Sequence, residues 1–298
     1  MAQGKVEVIC DAPLECGEGP MWDVAKQKLY WTNAYAPAIW EYDRATEKTR
    51  QIGSKRQAGS IVLHADGGFL LSTSDGFFHW KSDEDMRVVA DTCDGKPAIN
   101  INDIGADSHG RIFGGQECYK EGEPFESGYL YRLDTDGTIT IVDDGMHVAN
   151  GIGFSLDEST MYMPDSVKRV VYAYDYSVES GQISNRRDFI TLPPEAGLPD
   201  GLTVDSEGFI WVARWFGGGI SRFDPDGKLE RSIDFPVGQT SSVMFGGKDL
   251  NEIYVTSASV LWESHLAPPG HSYNPPRGGP TFRIIQDIQG RPENFARV

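Results

Sequence analysis

The sequence has few of the residues and motifs on which common catalytic and structural sites depend. Its four cysteines, Cys10, Cys16, Cys93 and Cys118, show no paired short spacing, which argues against a disulfide framework and a zinc site. We expect them to be free thiols of a cytoplasmic protein. The six histidines include no close pair of metal ligands, and a Pro-rich stretch with two of them is predicted to be a surface loop. A Gly-x-Ser-x-Gly motif and a phosphate-binding loop are both missing, so a serine α/β-hydrolase and a nucleotide-binding enzyme are unsupported.

Long hydrophobic runs and excess positive charge are also missing. No stretch approaches the length of a membrane span, and the start of the chain, residues 1–5, has no apolar signal segment. The formal net charge of −17 makes contact with phosphate backbones or anionic membrane surfaces repulsive. We therefore expect a cytoplasmic protein that acts on a small molecule and binds neither nucleic acid nor membranes.

What the sequence does contain is one position that recurs six times, each time before a short apolar stretch. The intervals are 42, 42, 48, 50 and 42 residues, and the position holds Glu18, Ser60, Asn102, Asn150, Asp200 and Ser242. A period near this length is typical of a β-propeller, in which each repeat forms one four-stranded blade. Residues at the same phase of every blade meet around the central axis.

Each repeat continues with an acidic or Gly-containing turn and then a strand of apolar or aromatic residues. Short strands separated by turn residues, without helical periodicity, indicate an all-β chain. We predict a single six-bladed β-propeller over residues 1–298, with four-stranded blades and a metal site in the central channel. Pairing of residues 5–10 with residues 282–285 would close the ring and protect its edges. A closed ring of this kind is expected to be a monomer.

The chemistry of the recurring position favours a divalent cation. Glu18 and Asp200 offset its charge, and the side-chain oxygen of Asn150 adds a neutral ligand. An oxygen-only set suits calcium, magnesium or manganese, while zinc and ferrous iron remain possible. Ser60 and Ser242 are small and would leave room for water and substrate. The alternative is that these polar groups only form hydrogen bonds around a water-filled channel.

Ordered motifs along nearly the whole chain resemble those of the SMP-30/regucalcin/gluconolactonase family of six-bladed propellers. The motifs are Gly17-Glu18-Gly19-Pro20, Asn102-Asp103 with Gly110-Arg111, Asn150-Gly151, Pro199-Asp200-Gly201 with Trp211-Val212-Ala213, and Thr240-Ser241-Ser242 with Phe245-Gly246-Gly247. The resemblance implies that Glu18, Asn150 and Asp200 hold the metal and that Asn102 contacts substrate.

The activity that the resemblance implies is hydrolysis of an aldonolactone to the aldonic acid in sugar catabolism. The metal would polarise the lactone carbonyl, and Asn102 would help to stabilise the developing oxyanion. Asp200 is the candidate general base, although it alternatively only ligates the metal. We expect strand alternation to turn Asp103 away from the channel, into a structural hydrogen bond. Glu117 is predicted either to reach the site from a loop or to face solvent.

Departures from the family pattern bear on the choice of substrate. Many such lactonases have an arginine where this chain has Asn100, and some have an acidic residue in the loop that here carries Tyr119, Lys120 and Glu121. Arg214 is predicted near the channel mouth, where with Lys120 it would receive a carboxylate, sulfonate or phosphate. The candidates are therefore glucono-, xylono- and arabinonolactone, or an anionic hexonolactone such as 6-sulfogluconolactone. A surface salt bridge is the alternative role of Arg214.

Aromatic residues near the site are candidates for stacking on a sugar face. They are Tyr119, Trp215 and Phe216, whereas Trp22 is expected in the core between blades. Two other functions remain open from the sequence: another metal-dependent ester or phosphotriester hydrolase, and a calcium-binding regulatory protein without catalysis.

Overall fold

Six four-stranded antiparallel sheets follow one another along the chain as the blades of a β-propeller. The structure is a computed structural model, and it describes residues 4–120, 122–123, 127–273 and 276–298. In blades one to five the strands pair in chain order, so that each strand lies beside the next. The all-β, six-bladed, four-stranded architecture predicted from the recurring position is thereby confirmed.

The first three blades are built from strands of three to eight residues. Blade one comprises β2 (Gly17–Asp23), β3 (Lys28–Asn33), β4 (Ile39–Asp43) and β5 (Lys48–Gly53). Blade two comprises β6 (Ile61–Leu63), β7 (Phe69–Thr73), β8 (Gly76–Ser82) and β9 (Asp85–Ala90). A hairpin of β10 (Thr92–Cys93) and β11 (Lys96–Pro97) precedes blade three. Blade three comprises β12 (Ile101–Ala106), β13 (Ile112–Gln116), β14 (Gly128–Leu133) and β15 (Ile139–Met146).

The last three blades include the strand that closes the ring. Blade four comprises β16 (Gly153–Phe154), β17 (Thr160–Asp165), β18 (Val170–Ser177) and β19 (Gln182–Thr191). After a 3₁₀ turn (Pro194–Ala196), blade five comprises β20 (Leu198–Val204), β21 (Ile210–Trp215), β22 (Gly219–Phe223) and β23 (Leu229–Asp234). Blade six comprises β24 (Thr240–Gly246), β25 (Glu252–Ser257) and β26 (Thr281–Ile285), with β1 (Glu7–Cys10) as its outer strand.

The closure of the ring matches the predicted pairing of the two chain ends. β1 pairs antiparallel with β26, with Glu7 opposite Arg283 and Val8 opposite Phe282. The Arg283 guanidinium donates to a Glu7 carboxylate oxygen at 2.6 Å across this pair. A covered β26 edge offers no unpaired backbone groups to a neighbouring molecule.

Aromatic side chains fill the spaces between adjacent blades. Trp22 of blade one stacks on Tyr254 of blade six with ring centroids 5.4 Å apart, and Tyr30 packs on Phe69 of blade two at 4.8 Å. Each large side chain that is buried in this way stabilises the fold by roughly 1.5–3 kcal/mol. The placement of Trp22 in the core agrees with the prediction.

The acidic residues in the turns are explained by the hydrogen bonds that their carboxylates accept from backbone N–H groups. In the turn after β20, the Asp205 carboxylate accepts from the backbone N–H groups of Glu207 and Phe209 at 2.9 and 3.0 Å. Its second oxygen accepts from the Trp211 indole and the Arg222 guanidinium. One aspartate therefore shapes the turn and ties two strands together, which accounts for its recurrence. Within the described residues, no helix has the length and apolar character needed to cross a membrane.

Candidate metal and substrate site

A cavity of about 480 Å³ opens at one end of the propeller axis. Most of the site residues predicted from the sequence line it: Glu18, Asn100, Asn102, Tyr119, Lys120, Asn150, Asp200 and Trp215. Ser60 and Ser242 instead line a narrow section of about 70 Å³ farther along the axis, which residues 291–294 close. The recurring position therefore lies where the open cavity meets the narrow section. Glu121 lies outside the described residues.

β-Bulges in the innermost strands aim several of these side chains at the axis. In β12, two residues, Asn102 and Asp103, stand opposite one residue of β13, and in β20 Asp200 and Gly201 do the same opposite β21. The strand of blade one has an equivalent irregularity directly after Glu18. A bulge re-aims side chains that regular alternation would send to opposite faces of the sheet.

The glycine that follows each predicted metal ligand is required by the close approach of the next blade. A Cβ added to Gly19 would lie 2.6 Å from the Ser60 hydroxyl oxygen. A Cβ on Gly151 would collide with the backbone of blade five, and one on Gly201 would collide with Ser242. The Glu-Gly, Asn-Gly and Asp-Gly pairs thus combine a predicted ligand with a residue that has no side chain to obstruct the next blade.

Hydrogen bonds fix the orientation of both axial amides. The Ser166 hydroxyl donates to the Pro199 carbonyl at 2.6 Å, so it must accept from Asn150 Nδ2, which lies 2.7 Å away. Asn150 Oδ1 consequently points the other way, where it accepts from Asn102 Nδ2 at 2.9 Å. The same Nδ2 also donates to the Ala149 carbonyl at 3.0 Å.

This network changes the role expected for Asn102. Both of its amide hydrogens are engaged within the protein, so the group that it offers to the cavity is the acceptor Oδ1. An acceptor repels a developing oxyanion and suits a substrate hydroxyl. This network does not support the predicted oxyanion role of Asn102, which stays a prediction, and it is compatible with a contact to a substrate hydroxyl.

Buried carboxylates crowd the axis. Glu18 and Asp200 are 7% and 5% exposed. Burial raises the pKa of both well above the ordinary values, and the repulsion from Asp200 and Asp103 adds to the effect on Glu18. Among the described residues, no Lys, Arg or His forms an ion pair with any of these three acids.

Asp103 is a member of this group that sequence reasoning misplaced. It lines the narrow section of the channel and accepts a hydrogen bond from the Ser60 hydroxyl, as expected, yet it does not turn away from the axis. The bulge in β12 breaks the alternation on which that prediction depended. Burial raises the pKa of Asp103 to about 6.

The arrangement fits a divalent cation, although it lacks the commonest type of ligand cluster. Within the part of the chain that is described, no three His, Cys, Asp or Glu side chains form a metal-ligating group. The predicted set instead combines the carboxylates of Glu18 and Asp200 with the oriented oxygen of Asn150. Uncompensated buried carboxylates are costly, and a hard cation between them would remove that cost.

Glu117 reaches the cavity, which resolves the two alternatives left open for it. It follows β13 and lines the cavity as an exposed residue. On the rim, Lys120 Nζ lies 3.7 Å from a carboxylate oxygen of Glu123.

Arg214 does not line the cavity, so its predicted contact with substrate is not supported. It lies in β21 beneath the glycine turn, and its guanidinium is 3.3 Å from an Asp234 carboxylate oxygen. Alternation along β21 directs Trp215 to the cavity and Arg214 to the opposite side. The surface ion pair that was the alternative role is the one observed.

An apolar wall that the sequence did not reveal covers part of the cavity. Trp262, between β25 and β26, lines the cavity beside Trp215 and stacks on Phe216 with centroids 5.6 Å apart. His271 also packs on Phe216, at 4.8 Å, so the Pro-rich stretch is partly a packed wall as well as a loop. In the sequence, the sign of this apolar wall was a tryptophan, Trp262, that lies outside the repeat.

The structure is thus a six-bladed propeller in which side-chain oxygens from several blades meet in one cavity at the axis. The chain belongs to the SMP-30/Gluconolactonase/LRE-like family, whose model matches residues 16–259. It is 35% identical to the pentonolactonase XacC of Haloferax volcanii over 285 residues, 96% of each chain. It is 33% identical to regucalcin of Homo sapiens over 291 residues, 95% of each chain. The structure of a luciferin-regenerating enzyme matches with a TM-score of 0.87 and 27% identity, covering 99% of this chain and 100% of the other.

Proposed function

We propose that this protein is a metal-dependent sugar lactonase, a carboxylic ester hydrolase that opens an aldonolactone to the aldonic acid. The observation that carries the proposal is the meeting of Glu18, Asn102, Asn150 and Asp200 in one cavity at the axis. The similarity to a pentonolactonase over nearly the full length of both chains supports xylono- and arabinonolactone as substrates, with gluconolactone next.

Glu18, Asn150 and Asp200 are the residues that would hold one divalent ion. When bound, the ion supplies Lewis-acid polarisation of the lactone carbonyl. Calcium, zinc, manganese, magnesium and ferrous iron are the candidate ions, since open oxygen-rich sites accept several metals.

The residues around this position orient the sugar. Asn102 Oδ1 and Asn100 offer polar groups to ring hydroxyls, and Trp215 and Tyr119 offer flat apolar surface beside them. The cavity volume of about 480 Å³ holds a sugar lactone together with water. These side chains would thus hold the lactone with its carbonyl group next to the position of Glu18, Asn150 and Asp200.

Asp200 is the group that we propose as the base toward the attacking water. Its carboxylate lines the cavity that would hold the lactone, so it is placed to take a proton from a water bound there, and ligation of the ion would lower its basicity. Asp200→Asn tests this role, because an amide keeps an oxygen ligand but cannot take a proton. Metal binding without turnover in this variant supports the base, whereas wild-type turnover at full metal occupancy refutes it.

The deciding experiment measures acid release from neutral and anionic aldonolactones by metal-stripped and metal-loaded protein. Calcium, magnesium, manganese, zinc and ferrous iron are compared, with Asp200→Ala as control. Metal-dependent ring opening that the control lacks establishes the lactonase. Metal binding without ring opening of any lactone would move the function to phosphotriesters or to calcium binding alone.

A further inference from the structure

Glu117 is held in the cavity by its backbone. Its N–H donates to the Asn100 carbonyl at 3.0 Å, and the residue forms a β-bridge with Val148 of the neighbouring connection. Because neighbours on both sides fix the main chain, the side chain projects into the cavity and not over the outer surface. Its position is therefore built into the site.

The charge of Glu117 is not neutralised by the protein. Among the described residues, no Lys, Arg or His nitrogen lies within 4.0 Å of its carboxylate, and Lys120 is the one cation that lines the cavity. Lys120 lies on the rim with its side chain 71% exposed, beside Glu123. The carboxylate of Glu117 thus faces whatever occupies the cavity.

Because Lys120 lies on the rim beside Glu123, the charge that faces the inside of the cavity is negative. Three carboxylates line it, from Glu18, Glu117 and Asp200, and a divalent ion would offset two of them. Glu117 follows β13 and is not at the recurring position of Glu18, Asn150 and Asp200, so we place it outside the group that would hold the ion. Glu117 is the carboxylate that remains.

We propose that Glu117 makes the enzyme selective for neutral lactones by accepting a hydrogen bond from a sugar hydroxyl and repelling a second anionic group on the substrate. The proposal rests on the lactonase function and specifies its substrate class. Hydroxyl groups are good donors to a carboxylate, whereas a carboxylate, sulfonate or phosphate near Glu117 would be left without a counter-charge. The position of Arg214 outside the cavity agrees with this selectivity.

The negative charge of Glu117 should also weaken the binding of the reaction product. Hydrolysis adds water across the acyl carbon–oxygen bond: the acyl carbon gains a hydroxyl, the ring oxygen gains a proton, and the new acid then ionises. A neutral substrate therefore becomes an anion inside a negatively charged cavity. Glu117 disfavours this anion relative to the substrate, so we expect weak product inhibition.

The test uses two lactones that differ only in a terminal group. The γ-lactone of gluconic acid carries a hydroxymethyl group where the γ-lactone of glucaric acid carries a carboxylate. Values of kcat/KM for both are measured on metal-loaded wild type and Glu117→Gln near neutral pH, after subtraction of spontaneous hydrolysis. Glu84→Gln is the matched control, since Glu84 is 77% exposed and pairs with Lys55 on the outside of blade two.

We expect wild type to favour the neutral lactone and Glu117→Gln to reduce that preference by about tenfold, because a like charge that lines the binding site without a counter-charge penalises an anionic substrate. Inhibition by gluconate should become stronger in Glu117→Gln. Added salt should narrow the preference of wild type. Glu84→Gln should behave as wild type in every assay.

Three results would overturn the proposal. A preference that Glu117→Gln changes by less than about twofold removes the charge-selecting role. Loss of metal affinity in Glu117→Gln, measured by calorimetry, would make Glu117 part of the metal site. An equal change in Glu84→Gln would make the effect a property of net charge. If wild type opens neither lactone, the lactonase function itself fails, which is a separate outcome.

Discussion

Replacement of Asp103 by asparagine should stabilise the metal-free protein at neutral pH. The carboxyl is 6% exposed, and burial raises its pKa from 3.8 to about 6. That difference corresponds to about 3 kcal/mol of penalty for keeping the group ionised in the folded state. The neutral amide of Asp103→Asn would avoid the penalty but lose about 1 kcal/mol from the weaker Ser60 hydrogen bond. The expected gain in the free energy of unfolding is therefore about 2 kcal/mol.

The sign of the pH dependence follows from the direction of the shift. A carboxyl with a raised pKa in the folded state binds protons more tightly there than in the unfolded chain. Its penalty is absent below about pH 4, grows between about pH 4 and 6, and is complete above that range. The difference between Asp103→Asn and wild type should therefore be large near neutral pH and vanish in acid.

Urea denaturation of chelator-treated protein, followed by tryptophan fluorescence, measures this difference over a series of pH values. The same curves with saturating calcium provide a control, because a cation on the axis attracts Asp103 and should shrink or reverse the gain. A gain that is independent of pH, or a variant that is less stable at neutral pH, would show that Asp103 does not carry the penalty described.

Four further changes have distinct expected outcomes. Ser166→Ala frees the Asn150 amide to rotate and should lower calcium affinity about 10- to 100-fold by calorimetry; unchanged affinity would mean that Ser166 does not orient it. Gly201→Ala should abolish activity through its collision with Ser242, and adding Ser242→Gly should restore part of it; no rescue would exclude this steric cause. Arg214→Ala should change kcat/KM for neutral and anionic lactones by the same factor, and a selective loss on anionic lactones would return Arg214 to the site. Chelation should remove lactonase activity and calcium should restore it; activity that resists chelation would exclude metal dependence.

The repeat made much of the fold predictable. The recurring position and its turns specified six blades, and six four-stranded blades are observed. The pairing of the chain ends was predictable because the last repeat alone would leave blade six one strand short and the ring open. These inferences needed only periodicity and turn chemistry.

The site was predictable where the side chain lies in phase with the repeat, and not where local geometry decides. Glu18, Asn150 and Asp200 follow the phase. Asp103 does not, since a bulge is invisible in a two-residue alternation. The orientation of Asn102 depends on hydrogen bonds to residues distant in sequence, which no local pattern encodes.

Closure of blade six by β1 has a consequence for how the protein folds. Glu18 lies in blade one and Asp200 in blade five, on either side of blade six, and blade one becomes a neighbour of blade six only when the ring is complete. Such contacts have high contact order, and loop-closure entropy makes them form late. Metal binding should thus appear only in the last folding phase, so that calcium affinity reports on ring closure. A variant that lacks β1 should not bind calcium.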